Sequence, residues 1–170
     1  MRDLIRKIIK EESATQTNLL FSIEKMGIKQ TIKMFGGYNK FNKVFPNYFY
    51  SKDESDEDES NEVKFNKDRA IDLINELVEE HRKVADGPID IYELIGQDYT
   101  LYTSIDDEGN DVVTYLSSID TDSAGYYVYM YDADSGEMYD EPIEEGYLKL
   151  RHFEDSVLND IFEMFVDKFL

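Results

Sequence analysis

Apolar positions recur at helical spacing through the first part of the chain. Leu4, Ile5, Ile8 and Ile9 fall at i, i+1, i+4 and i+5, with Arg2, Arg6, Lys7 and Lys10 off that stripe, which predicts a short basic amphipathic helix. A second helix is predicted over Thr17–Met26, carrying Leu19, Leu20, Ile23 and Met26 and ending at Gly27. A third runs over Lys29–Phe35 to the Gly36-Gly37 pair, and a fourth over Tyr38–Phe45, stopped by Pro46. The helical pattern restarts at Asp68–Lys83, where Ile71, Ile74, Leu77 and Val78 share one face, and Gly87-Pro88 breaks it.

From Tyr99 the period changes from 3.6 to 2. DYTLYTSI, DVVTYLSS, YYVYMYD and GYLKLRHF are rich in Tyr, Val and Thr, as half-buried strands are. Turn-forming DDEGN, DTDSAG and DADSGE segments separate them, so sequential antiparallel pairing is expected. The chain closes on Glu154–Leu170, whose Leu158, Ile161, Phe162, Phe165 and Phe169 form an apolar stripe fit to cover one sheet face. The fold class expected is α+β: a basic helical N-terminal module, then an acidic domain in which a four-stranded antiparallel sheet is flanked by two helices.

Charge divides the chain the same way. Residues 1–50 hold nine Lys/Arg against four Asp/Glu, residues 51–62 one against seven, and residues 63–170 eight against 27. The run SKDESDEDESNE has no hydrophobic residue and reads as a solvated linker. Three parts are therefore expected: a basic helical module at 1–50, an acidic linker at 51–62 and an acidic α+β domain at 63–170, the last able to fold alone. A hydrophobic content of 41% with 14% aromatics is too rich for a wholly disordered acidic chain.

Composition narrows the chemistry. Without Cys there is no disulfide, thiolate metal site or Cys nucleophile, and two His leave little for imidazole catalysis. DADSGE begins like a calcium loop, but Gly136 falls at position 5 and Ile143 at position 12, so the match fails. No metal, cofactor or catalytic residue is implied, and a non-enzymatic role is expected. Gly27–Phe45 has the outline of a helix-turn-helix with Lys29, Lys33, Lys40 and Lys43, yet lacks Arg and adjoins a domain of net −19. Direct nucleic-acid binding is disfavoured on that ground. No apolar run reaches the ~20 residues of a membrane span, and no secretory signal pattern is visible.

The strand YYVYMYD offers candidate contact residues. Alternation places Tyr127, Tyr129 and Tyr131 on one face, and Tyr126, Val128 and Met130 on the other, which is expected to meet the helices. A tyrosine face rimmed by acids suits a protein interface and a basic protein partner; tyrosines that simply pack across strands in a half-buried sheet are the plainer account of the same pattern. The leading reading is a protein-binding accessory module. The alternative is an acidic DNA-mimic decoy that inhibits a host nuclease or DNA-binding protein, its carboxylates standing in for phosphates.

MRDLIRKIIKEE followed by SIEKMGIKQTIKMFGGYNKF resembles the opening of uncharacterised reading frames of large tailed, marine-type bacteriophages, over about the first 45 residues. The resemblance implies a virion-associated or host-cytoplasmic accessory protein whose N-terminal helix acts as a sorting tag. It further implies Leu4, Ile5, Ile8 and Ile9 as the docking face and a cleavage point near Glu11-Glu12.

Overall fold

A computed structural model describes residues 15–52 and 63–170. Helix α1 (residues 15–26) is followed by α2 (Ile28–Met34) and α3 (Tyr38–Val44). Short strands β1 (Tyr50–Lys52) and β2 (Val63–Phe65) pair antiparallel and lead into α4 (Lys67–Arg82), so Ser51 and Lys52, expected to open the acidic linker, belong to a strand instead. Then come β3 (Ile89–Asp90), α5 (Ile91–Ile95), β4 (Tyr99–Ile105), β5 (Asp111–Asp120), β6 (Ser123–Tyr131), β7 (Glu144–Lys149) and α6 (Asp155–Phe169).

The long helices form where the periodic stripes lie. At the start of α4 the Asn66 side chain accepts from the Arg69 N–H at 3.1 Å, satisfying one of the otherwise orphaned first-turn donors. The helix buries Ala70, Ile71, Leu73, Ile74, Leu77 and Val78. α6 buries Leu158, Ile161, Phe162, Phe165 and Val166. Seven-residue α2 has no cap of its own, because Gly27 stands at its N-terminus. Its first donors are met from α4 instead: the Glu76 carboxylate accepts from Ile28 N–H and Lys29 N–H, both at 2.9 Å. Gly27 has φ +84°, and a Cβ there would lie 2.9 Å from the same carboxylate, so both conformation and space call for glycine.

The sheet has five strands rather than the four expected. The fifth is β3, whose two residues pair with Ser118 and Ile119 and are too short to show a period of 2. β5 lies at the centre, with β3 and β4 along one side and β6 then β7 on the other, all antiparallel. The last strand also stops earlier than expected. The Leu150 N–H still donates to Asp122 O at 3.0 Å, the next rung of the β6–β7 register, but Asp122 already belongs to the β5–β6 turn, so the partner strand ends and Leu150–His152 turn into a 3-10 segment.

Leu116, Ile119 and Ala124 of the sheet share one core with α4 and α6, which gives the two-layer arrangement expected of an α+β fold. The other inward positions differ from expectation. Tyr126, Val128 and Met130 lie outside that cluster, although Val128 is itself buried. Tyr126 turns its hydroxyl to Glu144 at 2.7 Å instead. The same core takes in Leu19, Ile28, Ile32, Phe41, Phe45 and Phe49, so residues on both sides of the acidic run pack together. Among the described residues no helix is long and apolar enough to cross a membrane.

Candidate functional site

β4 to β7 carry a surface that the helices leave open. The register sets Tyr127 of β6 opposite Tyr115 of β5 and Glu145 of β7, Tyr129 opposite Val113, and Tyr131 opposite Asp111. These residues therefore share the sheet face away from Leu116 and Ala124. Tyr147 joins them through its pairing with Gly125. That glycine sits where β5 bulges between Leu116 and Ser118, and a Cβ on it would fall 2.6 Å from the Ser118 hydroxyl. The bare backbone there lets β5 and the Tyr147 ring approach β6.

The expected tyrosines thus lie on one face but are not equivalent. Tyr127 is exposed, at 40%, while Tyr129 and Tyr131 are half-buried. Tyr115 and Tyr131 share a hydrogen bond between their hydroxyls at 2.6 Å, and the Tyr115 and Tyr129 rings meet edge to face at 6.2 Å. Tyr147 is the most open of the group, at 76%. Tyr115 and Tyr147 are absent from the sequence-derived set, because only the pairing register shows which face of β5 and β7 adjoins the tyrosines of β6. The candidate docking residues Leu4, Ile5, Ile8 and Ile9, and the Glu11-Glu12 cleavage point, lie outside the described residues.

The turns at the far end of the sheet are rigidly tied. Asp106 accepts from Asn110 N–H at 2.8 Å and from the Asn110 amide at 3.0 Å, which holds its carboxyl below the usual range. Buried Asn110 in turn accepts from Ala133 N–H at 3.1 Å and links the β4–β5 turn to the β6–β7 connection. In that connection Asp132 accepts from the N–H groups of Asp134 and Ser135 at 3.0 and 2.7 Å. The DADSGE segment is therefore a self-capped turn. Among the described residues no three His, Asp or Glu side chains gather in a way that could hold a metal ion. Of the helix-turn-helix lysines, Lys29 is spent internally on an ion pair with Glu80.

Electrostatics set this surface apart. From Val84 to Leu148, a stretch of 65 residues, there are 17 Asp/Glu and not one Lys, Arg or His. The stretch spans β3 to β6 and all of β7 but its last residue, and it holds ten of the 13 tyrosines. Burial raises the Tyr115 hydroxyl to about 12, helped by its bond to Tyr131 and by neighbouring negative charge including Asp98. Its folded value lies above its unfolded value, so the resulting stability is full below pH ~10 and is lost as pH rises toward 12. With no Trp present, the 13 tyrosines dominate near-ultraviolet absorbance. An alkaline titration is expected to show a late-ionising class, from which Tyr115→Phe removes one equivalent. Ionisation of every tyrosine in a single step near pH 10 would contradict this.

No family model matches the chain, and no match was found among curated proteins or solved structures.

Proposed function

We propose that the chain is a non-enzymatic protein-binding module whose sheet offers its tyrosine and carboxylate surface to a cationic protein partner. The observation that carries this reading is the cation-free stretch from Val84 to Leu148, folded into a sheet with five tyrosines on its open face. A field of one sign steers encounter with positive surfaces, while Tyr rings supply contact area and a face for Lys or Arg to stack on. Such a module suits an accessory or virion-associated protein, the setting that the N-terminal resemblance implies.

The test uses a lysine homopolymer as probe and exposed residues as targets. Replacing Tyr127 and Tyr147 together by Ser is expected to weaken binding about tenfold at ~0.15 M salt. Both side chains are exposed, so folding stability should stay within ~0.5 kcal/mol. Changing Tyr127, Tyr129 and Tyr131 together also breaks the Tyr115–Tyr131 bond and is expected to lower stability as well. Unaltered affinity in the Tyr127/Tyr147 variant would remove the tyrosines from the interface. The DNA-mimic reading draws on the same cation-free stretch. It expects binding to follow the carboxylates alone, and expects duplex DNA to compete with the protein for a DNA-binding target.

A further inference from the structure

The sheet has two outer edges of different chemistry. β7 is guarded: Glu144 and Glu145 open it, Lys149 ends it and Pro142 precedes it. Charges and prolines of this kind keep a sheet edge from pairing with another chain. The opposite edge is β4, which among the described residues pairs only with β5. Its sequence, YTLYTSI, has no charge, no Pro and no Gly over seven residues, and five of the seven are exposed. The single irregularity is Leu101, an extra residue opposite β5 that packs toward the core. β3 pairs with the other end of β5 and does not lie across β4. β4 therefore presents a free row of backbone donors and acceptors, the template on which strand addition is built.

Charge selects what can pair there. β4 is bracketed by Asp98 at one end and by Asp106, Asp107 and Glu108 at the other, within the stretch that has no cation. A second copy of the chain would bring the same anions into register with these. A Lys- or Arg-bearing strand meets no such repulsion. Next to Tyr99 the edge opens into a groove of about 500 Å³ between α5 and α6. Leu94, Ile95 and Met164 give it apolar lining, and Asp160, Glu163 and Asp167 give it three carboxylates against one cation in its wall, Lys168. A long basic side chain fits that division, with its stem on apolar atoms and its charged end at the acids. Among the described residues, none of these three carboxylates is in an ion pair. Asp160 accepts from the Tyr99 hydroxyl at 2.7 Å.

We propose that β4 receives an extended, Lys/Arg-rich segment of a partner protein as a sixth strand, with one basic side chain seated in the groove beside Tyr99. The inference rests on the protein-binding reading above and specifies its mode.

The full chain is titrated with a labelled ten-residue peptide alternating Lys and Val, with a helix-forming Lys/Ala peptide of equal charge, and with a Glu/Val peptide. Amide hydrogen exchange is followed in parallel. The Lys/Val peptide is expected to bind more tightly than the other two, and to slow exchange in residues 99–105 by about tenfold or more. Asp160→Asn combined with Asp167→Asn should weaken it several-fold. Successive N–H groups of a strand point to opposite sides, so of Thr103→Pro and Ser104→Pro one removes an edge donor and the other a donor to β5. The variant that keeps the parental melting curve should lose the peptide. If the lysine homopolymer binds in a tyrosine-dependent way while the Lys/Val peptide leaves 99–105 unprotected, the edge inference fails and the protein-binding reading stands. If neither probe binds, both fail. A dimer that protects 99–105 without peptide assigns the edge to a second copy and overturns the proposal.

Discussion

Residues 63–170 produced alone are expected to lose cooperative folding, although their charge and pattern suggest a self-sufficient domain. The described residues before the acidic run contribute six large side chains to the shared core: Leu19, Ile28, Ile32, Phe41, Phe45 and Phe49. Burying a side chain of this size is worth about 1.5–3 kcal/mol, so their loss is on the order of 10 kcal/mol, against a net stability of about 5–15 kcal/mol for a whole domain. Polar ties go with them. The Arg69 guanidinium lies over the Tyr48 ring at 4.3 Å and donates to Tyr48 O at 2.8 Å. The Asn66 N–H donates to Phe49 O at 2.7 Å at the threshold of α4. Near-ultraviolet circular dichroism and a thermal melt of the fragment decide the matter. A sigmoidal melt with the tyrosine signal of the full chain would show that residues 63–170 fold independently after all. A protease site engineered into the acidic run separates connection from contact: the cut chain should keep its two pieces together, because β1 still pairs with β2 and Phe49 still packs on Phe162.

How much of this was legible in the sequence depends on how many residues carry each signal. α4 and α6 span about four turns each, so their apolar stripes average over many positions, and their observed bounds fall within one residue of those expected. The tyrosine strands were legible in part: β5 and β6 run for nine or ten residues, but a bulge breaks the alternation between Leu116 and Ser118, and β6 begins at Ser123, inside the DTDSAG segment expected as a turn. Short elements leave too little pattern. β1, β2 and β3 have two or three residues each, and only the chain folding back on itself brings them into pairs. α5 was missed although a local signal exists: Asp90 caps Glu93 N–H at 2.9 Å, and Gly96 ends the helix in a left-handed conformation. The shared core was hidden by a charge contrast that separates partners in solution as readily as it separates modules within one chain. The open face was half legible. Alternation puts Tyr127, Tyr129 and Tyr131 together, but bringing Tyr115 and Tyr147 beside them takes the pairing of three strands, with a bulge that no periodicity reports.

Phe162→Ala is expected to cost about 3–5 kcal/mol, enough by itself to bring a domain of ordinary stability close to unfolding. Phe162 is fully buried on α6 and forms the seam between the two sides of the acidic run. Its ring lies 4.8 Å from Phe49, 6.0 Å from Tyr38 and 5.8 Å from Phe65. Tyr38 and Phe49 come from before the run, Phe65 and Phe162 from after it. Truncation to Ala removes the ring's own burial, leaves a cavity among three aromatic neighbours and cancels ring pairs worth about 0.5–1.5 kcal/mol each beyond their area. Phe162→Leu keeps most of the volume while losing the ring geometry, so its cost should be clearly smaller, about 1–2 kcal/mol. Leu20→Ala provides the contrast, since Leu20 is 58% exposed and its removal should shift stability by no more than ~0.5 kcal/mol. Urea unfolding of the three variants measures all of this on one scale. Equal small losses for Phe162→Ala and Leu20→Ala would mean that the aromatic seam does not hold the two sides together, and the expectation for residues 63–170 alone would fall with it.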